Sequence, residues 1–397
     1  MFEADVAIIG AGAAGLSLAH RLSGPRFRAR ACTVALIDAP PGPLRPPRRT
    51  WCFWESGPGR FDAAVSASWQ RLRVRPRTGP PIEGDIAPLR YKMIRSDAFE
   101  ALVAAQMAHH PAVRRLEATV EAVDDGHLGA RVHLRDAQDR ARVLRARWVF
   151  DSRPPGSLPA ARTTLLQHFH GCFVRAARPV FDPATADLMD FRTPQPVRGL
   201  SFGYLLPLTP HEALVEYTEF SPQVLTAAQY EATVRHYTTE VLGLSALEVV
   251  STETGVIPMT DAPLTRQTGA SVFRIGAAGG ATRPATGYTF AGLQRQTRAV
   301  ATALHQGRRP VPPPAHSARS RAMDAVLLRA LDSGRVEGPE LFARLFRTVP
   351  PGRLLRFLDG RTRLHQDLAI GLRTPVAPML RSALELPFLP RRLHELT

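Results

Sequence analysis

One stretch of the sequence has an acidic residue on the apolar face of a predicted β-strand. The segment ALVEYTEF (213–220) has the composition of a β-strand. With a period of two, Glu216 shares a face with Leu214 and Phe220, whereas Glu219 lies on the opposite face. Burial among apolar groups raises the pKa of a carboxyl group, so Glu216 is a candidate proton donor and Glu219 is expected to be structural. The alternative is that Glu216 is an ordinary strand glutamate paired with an arginine from another element.

A second group of residues has the spacing of a dinucleotide-binding turn. In DVAIIGAGAAGLSLAHRL, Gly10, Gly12 and Gly15 stand between an apolar strand and a helical pattern. The first glycine allows a tight turn, the second lets a pyrophosphate approach the backbone, and the third packs the helix on the strand. Asp38 ends the next apolar run and can bind ribose hydroxyls. The pattern therefore predicts a cofactor with an unphosphorylated ribose, such as FAD or NAD.

Two later blocks favour FAD over NAD. RWVFDSRP ends a strand at Asp151, and VFRIGAAGGATRPATGYTF follows another strand with a glycine-rich turn. Flavoproteins of the glutathione-reductase type use two such returns of the chain to cover the flavin, and the second normally carries Gly-Asp. This chain has Ala277 in place of that aspartate, so backbone groups are expected to hold the cofactor. The candidate positions are Gly276, Gly279, Gly280 and Gly287.

Other polar residues give weaker signals. Arg95 precedes a helical pattern in which Asp97 and Glu100 have the spacing of a capping box. This arginine is a candidate ligand of the FAD phosphates, and the alternative is an ordinary surface arginine. His168 and His170 alternate on a strand, but two histidines without a nearby third ligand indicate packing or a polar lining rather than zinc or iron.

An aromatic cluster stands early in the chain, at Trp51, Phe53 and Trp54. Such a cluster lines a substrate tunnel or flavin pocket in some proteins and belongs to the core in as many others. The sequence leaves both interpretations open.

The elements that must position these residues belong to a globular chain. Its 397 residues, with 44% hydrophobic and 22% charged, are typical of two packed domains. The three scattered cysteines form no CxxC pair, which favours a reducing cytosol and argues against a disulfide scaffold or a zinc site. MFEADVAIIG has no signal-peptide pattern, and no run of about 18 apolar residues predicts a membrane span. We therefore expect a cytoplasmic protein.

The net charge of +16 comes almost entirely from arginine, since Lys92 is the only lysine. One explanation of this charge is the compositional bias of a GC-rich genome. The other is a function for the charge, namely attraction of the protein to anionic lipid or to nucleic acid. No helix-turn-helix, zinc-finger or aromatic-basic groove pattern is present, so nucleic acid is not expected as a partner. The tail segments RLLRFLDG and APMLRSALELPFLP suit peripheral contact with the inner face of the membrane, or ordinary helix packing.

The order of strand and helix signals predicts an α/β fold. We expect a Rossmann-like FAD-binding domain of the glutathione-reductase type, an inserted β-rich substrate domain and a helical C-terminal tail. The expected limits are 1–58, 90–160 and 270–308 for the FAD-binding domain, 59–89 and 161–269 for the substrate domain, and 309–397 for the tail. The oligomeric state is left open.

Several blocks together resemble lycopene β-cyclases of the bacterial type. These blocks are IGAGAAGLSLA, RTWCFWE, YKMIRSDAFEALV, LLQHFHGCFV, SFGYLLPLTPHEALVEYTEFSP, GVIPMTD, IGAAGGATRPATGYTFAG and LLRFLDGRT. They keep the order of that family and extend over nearly the whole chain. The resemblance implies closure of the open ends of a linear carotene such as lycopene, with FAD bound in its reduced form, NAD(P)H as electron source and no net redox change.

The resemblance also implies a catalytic acid in a motif that reads Phe-Leu-Glu-Glu-Thr in many relatives. The aligned residues LVEYT keep the first acid as Glu216, and Tyr217 stands in place of the second. Ring closure begins with proton addition to an alkene, which is a weak base, so a neutral carboxylic acid away from water is required. Alternatives with the same fold are a flavin monooxygenase and a prenyl-chain reductase, and a non-enzymatic alternative is a carotenoid- or flavin-binding membrane protein.

Overall fold

A computed structural model describes residues 3–28 and 32–394 of the chain. The strands are β1 (Ala4–Ile9), β2 (Val34–Asp38), β3 (Thr50–Ser56), β4 (Val65–Trp69), β5 (Arg71–Arg75), β6 (Ile82–Asp85), β7 (Leu89–Arg95), β8 (Val113–Gly126), β9 (Gly129–Asp136), β10 (Ala141–Asp151), β11 (Thr164–Ala176), β12 (Thr185–Asp190), β13 (Leu200–Pro207), β14 (Glu212–Ser221), β15 (Leu247–Thr260) and β16 (Val272–Arg274). The helices are α1 (Ala13–Leu22), α2 (Pro25–Arg28), α3 (Ser96–Ala108), α4 (Ala227–His236), α5 (Phe290–His305), α6 (Ala318–Asp332), α7 (Gly338–Thr348), α8 (Pro351–Leu358), α9 (Leu364–Gly371) and α10 (Val376–Glu385).

The first sheet has a parallel core. Strands β8, β2, β1, β10 and β16 run parallel in that spatial order. Strand β9 pairs antiparallel with both β8 and β10. Strands β1 and β2 are almost entirely apolar and buried, because α1, α3 and α5 cover one of their faces and strands β8, β9 and β10 cover the other. The expected Rossmann-like α/β fold is confirmed.

The turn between β1 and α1 depends on two of the predicted glycines. Gly10 has a φ of +91°, in the region that favours glycine. A Cβ atom at Gly15 would lie 1.9 Å from the carbonyl oxygen of Gly10. Helix α1 can therefore approach the end of β1 only because position 15 has no side chain.

The second sheet carries the strand that contains Glu216. Its seven strands have the order β15-β11-β14-β13-β12-β5-β6. The expected strand at 213–220 is confirmed as β14 (Glu212–Ser221), and its two faces lie in different apolar clusters. Leu214 and Phe220 pack with the small sheet and the C-terminal helices, whereas Val215 and Tyr217 pack beneath α4. The alternation predicted from the sequence therefore separates two environments.

A small sheet with the order β3-β7-β4 joins the two larger ones. Phe53 of β3 belongs to the core of the nucleotide-binding half, and Tyr91 of β7 belongs to the core beneath the second sheet. One strand pair thus contributes to both cores. Strands β5 and β6 join the second sheet through β12, although they follow β4 directly in the chain. The domain limits stay a prediction.

Helices α6 to α10 form the expected helical C-terminal region. A buried ion pair ties them to the loop after β16, since Arg283 Nε donates to the carboxylate of Asp324 in α6 at 2.9 Å. Arg283 also donates to the carbonyl oxygen of Phe357 in α8 at 2.9 Å. Both charged side chains are almost fully buried, so this loop and these helices are packed as one unit.

The predicted capping box at Asp97 and Glu100 is wrong. Helix α3 begins at Ser96 with Arg95 at the N-cap position, and no side chain caps it. Asp97 therefore lies inside the first turn, where a negative charge favours the helix through its dipole. Glu100 accepts a hydrogen bond from Arg115 at 2.7 Å, and this ion pair takes the place of the predicted contact with the backbone.

Candidate active site

A cavity lies where the second sheet, the small sheet and the loop before α5 meet. Most of its lining is apolar or aromatic, and two of the lining residues are acids, Glu216 and Glu253. The aromatic residues of the lining are Trp51, Tyr91, Phe169, Tyr204, Tyr288 and Phe290. An apolar cavity with a few convergent polar groups is the usual form of a small-molecule site.

Glu216 projects from β14 into this cavity and is buried. Burial raises the pKa of its carboxyl group to about 8, and the negative charge of Glu253 adds to the rise. The Thr218 hydroxyl donates to Oε1 of Glu216 at 2.7 Å, which lowers the pKa but does not offset burial. The carboxyl group is therefore mostly protonated at neutral pH, as a proton donor requires.

Glu253 enters the cavity from β15, two strands away. The Thr50 hydroxyl donates to its Oε2 at 2.8 Å. Burial raises the pKa of Glu253, while the bond from Thr50 and the charges of Arg95 and Arg49 act in the opposite direction. The cavity thus contains two carboxyl groups with different surroundings.

The predicted aromatic cluster divides between the cavity and the core. Trp51 lines the cavity, whereas Phe53 and Trp54 are buried behind it. Phe53 stacks on Phe290 with ring centroids 4.5 Å apart, and Trp54 meets the edge of Tyr288 at the same distance. The core interpretation is therefore confirmed for Phe53 and Trp54, and the place of Trp51 in a substrate tunnel or flavin pocket stays a prediction.

Several of the predicted cofactor residues lie at the carboxyl edge of the first sheet. Gly10, Asp38 and Asp151 end or follow β1, β2 and β10, which are adjacent and parallel. Gly276 follows β16, and a Cβ atom there would lie 2.7 Å from Cβ of Ala14 in α1. Ligands of open α/β sheets bind at this edge.

The N-terminus of α1 fits a phosphate group. A Cβ atom at Gly12 would meet nothing within 4 Å, so open space lies over this turn. Gly12 is the N-cap residue, no side chain caps the helix, and its first turn contains no acid. The free N–H groups and the helix dipole favour an anion here, so the residues present fit the pyrophosphate of a dinucleotide.

Both acids at this edge are paired with arginines. Asp38 Oδ2 accepts a hydrogen bond from Arg115 at 2.6 Å, and its Oδ1 lies 3.4 Å from the backbone nitrogen of Ala11. Asp151 Oδ2 accepts from Arg153 at 2.7 Å. The assignment of Asp38 to ribose and of Asp151 to the flavin stays a prediction.

The second glycine-rich turn is held by a side chain from α5. Gln296 donates to the carbonyl oxygen of Gly279 at 2.8 Å and accepts from the backbone nitrogen of Gly276 at 3.2 Å. Gly280 and Gly287 have φ values of +72° and +70°. A Cβ atom at Gly287 would lie 1.9 Å from Oε1 of Gln167, at the wall of the cavity. This loop therefore connects the predicted cofactor edge with the cavity.

Arg95 is the last residue of β7 and the N-cap residue of α3. Its guanidinium carbon is 4.5 Å from the ring centroid of Phe173, and its Nε is 3.6 Å from Asp97. Its charge acts on Glu253. The predicted contact of Arg95 with the FAD phosphates stays a prediction.

The opposite face of β14 carries Glu219, whose expected structural role stays a prediction. The Tyr217 hydroxyl donates to Oε2 of Glu219 at 2.6 Å. His168 is buried on the same side and forms hydrogen bonds with Ser221 at 2.8 Å and Tyr230 at 2.7 Å. Because side chains alternate along a strand, position 217 points away from the cavity, and an acid there would not reach its contents.

Sequence reasoning missed Glu253 and the tyrosines Tyr204 and Tyr288. Glu253 precedes Gly255 in STETGVIPMT, where residues 253, 255 and 257 share one face of a strand. An acid on the same strand face as Ile257 is the signal that would have found it. The tyrosines carry no local signal, because only the tertiary fold places them beside Glu216.

Within residues 3–28 and 32–394, no group of three or more His, Cys, Asp or Glu side chains could hold a metal ion. In the same part of the chain, no helix is both long and apolar enough to cross a membrane.

The fold is shared with a reductase-like protein, a monooxygenase and a flavoprotein of known structure. A geranylgeranyl bacteriochlorophyll reductase-like protein from Thermoplasma acidophilum matches with a TM-score of 0.62 at 12% identity, covering 98% of this chain and 99% of that one. A p-nitrophenol 4-monooxygenase from Pseudomonas putida matches with a TM-score of 0.57 at 16% identity, covering 98% and 99%. A flavoprotein/dehydrogenase from Cytophaga hutchinsonii matches with a TM-score of 0.60 at 13% identity, covering 96% and 98%. At these identities the likeness defines the fold class alone.

The sequence itself gives the family. A model described as "Lycopene cyclase protein" matches residues 5–384, which is nearly the whole chain. The protein therefore belongs to the lycopene cyclase family. Among curated proteins, none matches the chain significantly.

Proposed function

We propose that the protein is a lycopene β-cyclase, which closes the linear ψ-ends of lycopene to β-rings and gives γ-carotene and then β-carotene. The reaction is an isomerisation with no net redox change. The observation that carries this proposal is the buried, mostly protonated Glu216 in an aromatic cavity. A neutral acid kept from water is what an alkene substrate needs, because an alkene competes poorly with water for a proton.

Glu216 starts the reaction by protonating the terminal double bond of the substrate. Its O–H bond breaks and a C–H bond forms, which leaves a tertiary cation on the neighbouring carbon. A second double bond of the same chain attacks this cation and closes the ring. Loss of a ring proton then gives the ring double bond, so the atoms and electrons of the substrate are conserved.

The aromatic walls hold the cation and keep water away from it. Trp51, Phe169 and Tyr204 line the same cavity as Glu216. An aromatic face contributes on the order of 0.5 to 2 kcal/mol to the binding of a cation and offers no lone pair that would capture it as readily as water does. The apolar lining therefore favours ring closure over hydration.

FAD is the proposed cofactor. The turn at Gly10, Gly12 and Gly15 would hold its pyrophosphate, with Asp38 on the ribose. The later glycines, together with Arg95 and Asp151, are the remaining proposed contacts. When bound in its reduced form, with NAD(P)H as the electron source, the flavin supplies negative charge that stabilises a cation in a site of low dielectric. The structural likeness to the Cytophaga hutchinsonii flavoprotein supports this proposal through its fold.

A peripheral position on the inner face of the membrane is proposed, because the substrate is a hydrocarbon. Helices α9 and α10 and the turn after them carry exposed apolar residues at every fourth position, between 41% and 86% exposed. This C-terminal apolar row is Leu364, Leu368, Leu372, Val376, Leu380, Leu384 and Phe388. Exposed arginines accompany the row, namely Arg361, Arg363, Arg373 and Arg381. An apolar row among cations suits a surface of anionic lipid.

Expression in a host that accumulates lycopene tests the proposal. Pigments are separated by chromatography and weighed by mass spectrometry, with Glu216→Gln as the test variant and Glu219→Gln as the matched control on the opposite face of β14. We expect yellow-orange β-carotene of unchanged mass from the wild type and the control, and lycopene from Glu216→Gln. Products heavier by oxygen or by hydrogen would assign the protein to the monooxygenases or the prenyl-chain reductases.

A further inference from the structure

The two carboxyl groups of the cavity approach each other across a glycine. Gly171 of β11 pairs with Glu216 of β14 on one side and with Glu253 of β15 on the other. A Cβ atom at 171 would lie 3.2 Å from Oε2 of Glu216 and 3.3 Å from Cγ of Glu253. The nearest atom to this position is Cδ1 of Leu214 at 3.0 Å. Neighbouring strands lie about 4.8 Å apart, so the two acids border a common space only because the position between them has no side chain.

The surroundings of the two acids differ in charge. Glu253 accepts a hydrogen bond from Thr50 and is within the influence of Arg95 and Arg49. Glu216 accepts a hydrogen bond from the neutral hydroxyl of Thr218, and the charge that acts on it is that of Glu253. A pair of titratable groups whose surroundings separate their pKa values is a typical arrangement for an acid and a base.

On the basis of the proposed function, we propose that Glu253 is the base that accepts the ring proton in the last step. Glu216 gives its proton to the terminal double bond and becomes a carboxylate. After ring closure, a ring C–H bond breaks, its electron pair forms the ring double bond, and the proton goes to the Glu253 carboxylate. No oxidant or reductant is consumed.

Because Gly171 has no side chain, the proton can return from Glu253 to Glu216 after each ring closure. After one ring is formed, Glu253 carries the proton and Glu216 is ionised. Because both side chains reach the space over Gly171, the proton returns from Glu253 to Glu216 directly or through one water. The site is then ready for the second end of the substrate.

Other titratable groups around the pair come from β3, β7, β13 and two loops, and they influence its pH dependence. They are Arg49, Cys52, Tyr91, Arg95, Tyr204 and Tyr288. Burial raises the pKa of Cys52 and of the tyrosines, so these groups stay neutral in the working range. The pH dependence of the pair is therefore assigned to Glu216 and Glu253.

The test uses the purified, flavin-loaded protein with a reductant and lycopene in lipid vesicles, and measures the rate of ring closure against pH. We expect Glu253→Gln to lower the rate by about 10²- to 10⁴-fold, and Glu253→Asp to recover part of the loss. Glu253→Gln should also remove the loss of activity at low pH, because no base remains to be protonated. Its residual products should include hydrated chains or rings with the double bond elsewhere. Glu248→Gln, exposed on the same strand, is the matched control.

The remaining outcomes distinguish failure of the role of Glu253 from failure of the proposed cyclase function. If Glu253→Gln keeps its rate within about threefold and keeps the wild-type loss of activity at low pH, the inference is overturned and the cyclase function stands. If the wild type does not cyclise lycopene, the cyclase function fails and the inference with it. If Glu253→Gln does not fold or bind flavin, Gly171→Ala decides, since it keeps both acids and moves them apart. Gly171→Ala should close rings more slowly. Its loss of activity at alkaline pH should begin at a lower pH than in the wild type, because Glu253 then raises the pKa of Glu216 less. An unchanged dependence of the rate on pH would contradict the inference.

Discussion

The Thr218 hydroxyl donates a hydrogen bond of 2.7 Å to Oε1 of Glu216, two residues earlier on the same face of β14. A donor favours the ionised form of a carboxyl group, whereas burial favours the neutral form. The pKa of about 8 at Glu216 is the balance of these effects together with the charge of Glu253. The acid is thus held protonated at neutral pH, yet it can still release its proton.

Replacing Thr218 with valine should shift this balance. Without the hydroxyl the carboxylate loses a donor, so the pKa of Glu216 rises further. The alkaline loss of ring-closing activity should move up by about one pH unit, as expected for a hydrogen bond to a charged group. Rate measured against pH tests this, with Thr218→Ser as the control that keeps a hydroxyl. A shift to lower pH would contradict the assignment of this bond.

Glu216→Gln should stabilise the protein while it abolishes catalysis. The folded-state pKa of about 8 is above the ordinary value of 4.5, so the folded state binds the proton more tightly. Stability from this group is therefore present below pH 4.5 and is lost as pH rises through 8. At pH 7 the variant should gain on the order of 2 kcal/mol in the free energy of unfolding.

Urea unfolding at pH 5 and pH 8, with equal flavin content, measures this difference. The gain of Glu216→Gln over the wild type should be larger at pH 8. Glu248→Gln serves as an exposed control on β15 and should change little at either pH. If the gain in the free energy of unfolding became smaller as the pH rises, burial would not disfavour the ionised form of Glu216.

Two glycines of the first turn should respond differently to alanine. At Gly12 the new Cβ enters open space with an ordinary φ of −80°, so Gly12→Ala should fold normally and bind FAD about 10- to 100-fold more weakly. At Gly15 the new Cβ would lie 1.9 Å from a carbonyl oxygen, so Gly15→Ala should lower the melting temperature even without flavin. Flavin titration and thermal unfolding of the cofactor-free proteins separate the two effects. Equal behaviour of the two variants would contradict a cofactor site over Gly12.

The C-terminal apolar row should determine lipid binding. Leu368→Asp combined with Leu384→Asp places charge on two residues that are 62% and 72% exposed, so folding should be unaffected. Sedimentation with anionic vesicles should show at least a tenfold loss of binding, at about 0.7 kcal/mol or more for each lost side chain. Leu128→Asp, in the β8–β9 hairpin and 88% exposed, is the control. If the control lowers binding equally, the row is not the contact surface.

Local patterns predicted the parts of the site that depend on neighbours in the chain. The trio at Gly10, Gly12 and Gly15 is recognisable because turn and helix requirements act within a few residues. The side of the strand on which Glu216 lies followed from a period of two. The capping box at Asp97 was wrong because Glu100 is bound by Arg115, a residue on another element whose approach no local pattern encodes.

The relation of Glu216 to Glu253 could not be predicted in this way. It depends on which strands flank β11 and on the register that sets Gly171 between the two acids. Strand order and register are decided by the whole core, so residues 37 positions apart become partners without any shared local signal. The same holds for Tyr204, whose register on β13 places it opposite Glu216.

The buried pair of Arg283 and Asp324 couples the stability of the C-terminal helices to the stability of the glycine-rich loop after β16. Breaking one side of such a pair costs about 3 to 5 kcal/mol, so the loop and the helices are stabilised or loosened together. Linkage between two ligands of one cooperative unit is reciprocal. If the proposed function holds, lipid on the apolar row and flavin at the glycine edge should therefore each raise the affinity of the protein for the other, which couples retention of the cofactor to contact with the bilayer.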